Sequence, residues 1–298
     1  MKHLFAAFAR VARAGQPAPR GSTGRGLVLA AGLLAAGLAP AAAQSVTLAG
    51  PAGSGLFGSR VAVLPNGNFV VTDPGYDLGA AANAGAVYLY NGSTRALIST
   101  LTGATAGDQV GSGGVTVLAT GHYVVSSPEW SAAGAAAAGA ATWCSGTAGL
   151  AGSVSAANSL VGSRAADRVS NAGIVALPNG HYVVRSYQWS GTGFSAGAVT
   201  GGHGATGAKG AVGAANSLVG SRAGDRVGSD GTATFPNGIT VLPSGHYLVR
   251  SPRWNGGFGA VTWGSGTAGV ALLTSRPTTG NKEAPTIMKV VKRWEKAR

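Results

Sequence analysis

Three histidines and three aspartates recur along this chain at matching positions, and either set could do chemistry. His122, His181 and His246 each follow a glycine, in GHYVVSSPEW (121–130), GHYVVRSYQW (180–189) and GHYLVRSPRW (245–254). Asp108, Asp167 and Asp225 stand ahead of a short apolar run in the same three units. Imidazoles hold a metal when several converge on one ion at about 2 Å. Carboxylates hold calcium when oxygen ligands cluster in a D-x-D-x-D-G loop, and they act as an acid–base pair when two face each other across a cleft. Single residues repeated once per unit meet none of these conditions. The sequence therefore predicts no catalytic residue, no metal ligand and no cofactor. Each histidine is expected to lay its ring over a neighbouring strand of a hairpin. Each aspartate is expected to accept backbone N–H groups in a turn.

The third recurring set is aromatic. Tyr76, Trp130, Trp189 and Trp254 follow the second apolar run of successive units. Two readings compete. Rings between packed sheets bury a large apolar area, whereas rings on loops of one face form a platform for a glycan or peptide. Their neighbours Glu129, Gln188 and Arg253 vary in the way surface positions do, so these four are the candidate binding residues. Trp143 and Trp263 end a third run where the third copy has Gly201. Cys144 is the only cysteine; it excludes an intrachain disulfide and stands where the related TWGSG has Gly264.

These positions are set by a repeated unit. His122 and His181 are 59 residues apart and His181 and His246 are 65 apart, the longer gap containing a second turn-like FPNG. AANSLVGSRAADRV (156–169) returns as AANSLVGSRAGDRV (214–227), and a divergent first copy, LFGSRVAVLPNGNFVVTDPGY (56–76), has Asn68 where the others have histidine. Repeats of this period define the fold before they define a site. Within one copy, VAVL and FVVT flank PNGN, and AVYLY and ALISTL flank NGST, which reads as two hairpins closed by Asn-Gly turns. The fold class is all-β: a β-propeller-like array of four four-stranded antiparallel blades, as a closed or an open ring. The approximate repeats are 51–103, 104–160, 161–218 and 219–275, within a domain spanning 44–280. The run SVTLAG (45–50) resembles a strand that could complete the last blade.

The flanks differ from the repeats. Residues 1–25 carry five cations and no acids, and LVLAAGLLAAGLA (27–39) precedes Pro40 and three alanines. That is the pattern of a signal peptide over 1–43, cleaved near Ala43. At the other end, 281–298 is a basic tail in which Ile287, Val290, Val291 and Trp294 share one side of a short amphipathic helix; segment 286–298 could touch an anionic membrane weakly. The net charge of +13 is concentrated in these flanks, so the repeat region carries no nucleic-acid footprint. Fifty-one glycines argue against long helices.

The first copy resembles an FG-GAP repeat, the blade of integrin-α-like propellers: Phe57-Gly58 opens it, Asp73-Pro74 stands near the GAP position, and AGAVYLYNG (84–92) follows. The later copies, with GHYVVSSP and GAVTWGSGT elements, are similar to repeats of unknown function in bacterial surface proteins of the filamentous haemagglutinin and autotransporter-adhesin kind. The resemblance implies a secreted or cell-surface protein whose partner is a glycan or a host or cell-surface protein. The function expected is non-enzymatic adhesion or binding through propeller-face loops. The alternatives are a secreted carbohydrate-active hydrolase with a site across blades, and a non-functional remnant of a larger adhesin.

Overall fold

Short β-branched runs separated by glycine turns can pair only with their nearest neighbours, and the computed structural model of residues 45–229 and 238–266 shows that outcome four times. The expected signal peptide over 1–43, residues 230–237 of the insertion and the C-terminal tail lie outside the described residues. Four sheets follow one another in chain order. The first is β1 (Arg60–Val63), β2 (Phe69–Asp73), β3 (Ala86–Tyr90) and β4 (Leu97–Thr102). The second contains β5 (Gly114–Val117), β6 (Tyr123–Ser127), β7 (Ala140–Cys144) and β9 (Ser159–Val161), and the third contains β10 (Ile174–Ala176), β11 (Tyr182–Ser186), β12 (Ala198–Gly202) and β14 (Ser217–Val219). The fourth has β15 (Ile239–Val241), β16 (Tyr247–Ser251) and β17 (Ala260–Gly264), with a four-residue helical turn, α1 (Trp254–Gly257), between the last two. The fold is all-β with one sheet per repeat. No closed ring is found among the described residues.

Two details differ from the sequence-based expectation. The hairpin joining the first two strands uses three residues, Pro65-Asn66-Gly67, and of these only the glycine takes positive φ, at 84°. Leu64 N–H donates to the Asn68 carbonyl at 2.8 Å and Gly67 N–H to the Leu64 carbonyl at 2.9 Å, a pattern kept at Leu118–His122, Leu177–His181 and Leu242–His246. A glycine in the left-handed region therefore closes a longer loop than the two-residue turn that Asn-Gly suggested. Residues 45–50, in turn, form no strand. Leu48 packs instead on the outer face of the first sheet, with Phe57, Phe69 and Tyr76, over Tyr88 and Tyr90.

Two further strands, unforeseen in the sequence, interleave the repeats. β8 (Gly152–Ser153) leaves the second sheet to run parallel to β4, pairing with Leu101 and Thr102. β13 (Gly210–Ala211) leaves the third sheet and pairs in parallel with Leu160 and Val161 of β9. Each two-residue strand covers backbone groups that an edge strand would otherwise offer to another chain.

Three cores form where consecutive sheets meet. Val87, Leu89 and Leu101 of the first sheet pack with Tyr123, Val125 and Trp130 of the second. Leu160 and Val124 pack with Tyr182, Val184 and Trp189, and Val183 and Val199 pack with Tyr247 and Val249. Since Val124 faces one neighbour and Val125 the other, the central strands are buried on both faces. This is why YVVSS and YVVRS read as continuous apolar runs and not as alternating ones.

Within each sheet, backbone also meets backbone, where the end of the third strand passes the first hairpin. A Cβ at Gly146 would lie 1.8 Å from the Gly121 carbonyl oxygen, so only glycine fits there. Gly146→Ala should cost about 1–3 kcal/mol, and Trp130→Ala about 3–5 kcal/mol by emptying the first core. Urea unfolding of both variants checks these values. Midpoints equal to that of the parent chain would show that neither contact is closed in solution.

Candidate functional site

The histidines occupy one position on successive sheets. Nδ1 of His122, His181 and His246 accepts the N–H of Gly146, Gly204 and Gly266 at 3.1, 3.0 and 3.1 Å. Their rings lie against Trp143, His203 and Trp263, with centroids 4.8, 4.6 and 4.7 Å apart. Each imidazole thus joins the first hairpin to the end of the third strand in its own sheet. Among the described residues, no group of three or more His, Cys, Asp or Glu side chains is placed to hold a metal.

The same glycines join one repeat to the next. The Gly146 carbonyl accepts from Asn66 Nδ2 and Asn68 Nδ2, both at 2.9 Å, from the turn of the preceding repeat. Gly204 accepts from Trp143 Nε1 at 2.9 Å and from Thr120 Oγ1 at 3.4 Å. Gly266 accepts from Asn179 Nδ2. Asn68, the first copy's substitute for histidine, therefore still serves the glycine column, but from one repeat earlier.

Asp108, Asp167 and Asp225 are buried, and their oxygens are taken by backbone. Asp167 Oδ2 accepts from Ser163 and Arg164 N–H at 3.0 and 2.9 Å, and its Oδ1 accepts from Ser190 N–H at 2.9 Å. Asp108 repeats this with Ala104, Thr105 and Ser131, and Asp225 with Ser221, Arg222 and Asn255. Each carboxylate ties the loop entering a sheet to the loop after its second strand.

The aromatic candidates do not come together as an open platform. Trp130 and Trp189 are buried in the first and second cores. Trp254 is partly buried against the third, and Tyr76 lies on the outer side of the first sheet. Gly191 lies so flat on the Trp189 indole that a Cβ would meet its Cζ2 at 1.9 Å. Each ring fills the wedge beside its own sheet, which the large area of an indole makes favourable. Cys144 is fully buried in the first core; burial pushes its thiol up to about 12, so at neutral pH it stays a protonated packing group.

Open aromatic surface lies elsewhere. Phe194 and Phe258, on the loops between the second and third strands of the last two sheets, are 76% and 87% exposed. Gly224 N–H donates to the Phe194 carbonyl at 2.9 Å, and Gly224 lines an open depression with Ala223, Arg253, Gly256 and Gly257. Aligning the loops could have found Phe194, because the more regular second copy has alanine at the matching place, Ala136. Phe258 falls in a shortened loop and had no such signal.

Two outcomes follow. Asp167→Ala should cost about 1.5–3 kcal/mol by leaving three N–H groups without their charged acceptor, read by thermal or urea unfolding. Burial, then the His203 charge, lower the pKa of His181 below its ordinary 6.5. The folded state then holds His181 neutral while the unfolded chain takes up a proton, so its contribution to stability is present above about pH 6.5 and is lost as pH falls below it. An NMR titration should place His181 below 6.5, and His181→Asn should flatten the fall of the urea midpoint between pH 7.5 and 5.5.

Comparison with known proteins agrees with the fourfold division. A family model described as a repeat of unknown function matches residues 63–112, 117–171, 176–229 and 241–275. No curated protein matches the chain.

Proposed function

As a chain that belongs to the family Repeat of unknown function (DUF5650), this protein has a recurrent unit to explain before any site, and we propose that it is a secreted or surface-associated, non-enzymatic scaffold that binds a cell-surface glycan or protein through its loops. One observation carries this reading. The histidines and aspartates that recur in three of the four units are engaged by backbone, whereas bulky exposed side chains appear at Phe194, Phe258 and Arg253 around a glycine-lined depression. Exposed rings stack on the apolar face of a sugar or peptide, guanidinium groups donate to its oxygens, and glycines let backbone approach closely. Secretion is supported by the basic stretch and apolar run of residues 1–39.

The sheets are further read as an arc of a β-propeller. The closeness of β1 to β5 and of β5 to β10 supports this, as does the position of β8 and β13 at the opposite edges. The hydrolase alternative needs carboxylates facing one another; Asp108, Asp167 and Asp225 instead each accept from the loops around their own sheet.

A glycan array and a cell-surface pull-down with the purified chain test the proposal. Binding should fall at least tenfold in a Phe194→Ala/Phe258→Ala/Arg253→Ala variant whose melting curve is unchanged. Undiminished retention by that variant, or no binding by the parent chain, overturns it.

A further inference from the structure

The exposed large apolar residues of the strands sit on the first and last sheets. Val61 and Val63 of β1 are 62% and 69% exposed, and Val261 and Trp263 of β17 are 46% and 37% exposed. Their counterparts in the interior of the array are packed. Val61 and Val63 stand opposite Val71 and Phe69, as Val115 and Val117 stand opposite Val125 and Tyr123; Val115 and Val117 pack in the first core together with Ala62 of the preceding sheet. Ile174 and Ala176 hold the same place in the second core. Trp263 is the counterpart of Trp143, which packs in the second core and gives its Nε1–H to the Gly204 carbonyl of the next repeat.

The glycine column is open at the same two ends. Gly146, Gly204 and Gly266 are buried, each accepting a side chain from the repeat before, while Gly92, their counterpart in the first repeat, is exposed. Its Cβ position is set by the same contact, 1.8 Å from the Gly67 carbonyl oxygen, so its own carbonyl belongs to the same column. At the other end Ser244 follows Asn66, Thr120 and Asn179 in the turn. The last sheet thus presents the donor half of a junction, and the first sheet presents the acceptor half at Val61, Val63 and Gly92, beside the part of its outer face that Leu48, Phe57 and Tyr76 already cover.

We propose that these two ends are halves of one interface, and that chains associate head to tail with the last sheet of one copy against the first sheet of a second. Val61 and Val63 of the incoming copy then lie over Thr240 and Leu248, and Gly92 receives Trp263. The contact continues the junction already made three times within the chain. Because the two surfaces differ, the interface is heterologous, and each copy keeps one free half until a ring closes or a filament grows.

The experiment uses light scattering on the full chain across a concentration series, with two charge variants. The parent chain should rise to at least twice the mass of one copy. Val63→Glu alone and Trp263→Glu alone should each stay at one copy, since each lacks one half. An equimolar mixture of the two should form a dimer through the halves left intact. Val61→Glu with Val261→Glu repeats the test at independent positions, and circular dichroism melting confirms that each variant is folded. A parent chain that keeps the mass of one copy at every concentration overturns the proposal, including when its own residues 267–298 cover the last sheet. Association by Val63→Glu alone also overturns it, because that result requires like faces to pair.

Discussion

A sheet buried on both faces cannot stand alone, and that constraint governs the whole array. Val124 and Val125 are adjacent in β6 and both fully buried, one in the second core and one in the first. Any unit built this way needs a neighbour on each side, so stability is shared between sheets and is not owned by one. The recurrent polar residues serve the same end. The glycine after the third strand approaches the hairpin carbonyl too closely for any side chain, the histidine caps its N–H, and the preceding repeat caps its carbonyl. A motif that looks catalytic in the sequence is thus a joint between backbones.

Much of this is legible in the order of residues alone. The four units, the presence of a hairpin at each turn glycine and the service role of the histidines follow from turn glycines at fixed offsets and from Asn68 replacing a histidine without disturbing the pattern. Tyr76, Trp130, Trp189 and Trp254 are legible as equivalents, but not that Trp130 and Trp189 are buried and the other two partly so. Sequence neighbours such as Glu129 and Arg253 lie on the same loops, and their variation says nothing about which way the ring beside them turns.

The features that escape the sequence share a physical reason: each depends on a partner far along the chain. β8 is two residues, Gly152 and Ser153, with no apolar signal; it is a strand only because Leu101 and Thr102, well upstream, offer an edge. The run at 45–50 has the composition of a strand but pairs with none, and Leu48 covers aromatic rings instead. Phe194 and Phe258 look like ordinary loop aromatics until solvent exposure separates them from Trp189 and Trp254.

The interleaved strands give the molecule a particular response to load. A sheet whose outer edge is held by the following repeat cannot be peeled away without first shearing a parallel pair such as Leu101–Gly152. The second and third repeats are therefore each latched to the repeat before by one short parallel pair, Leu101–Gly152 and Leu160–Gly210. Each of these two latching strands is only two residues long and has no side chain larger than serine or alanine.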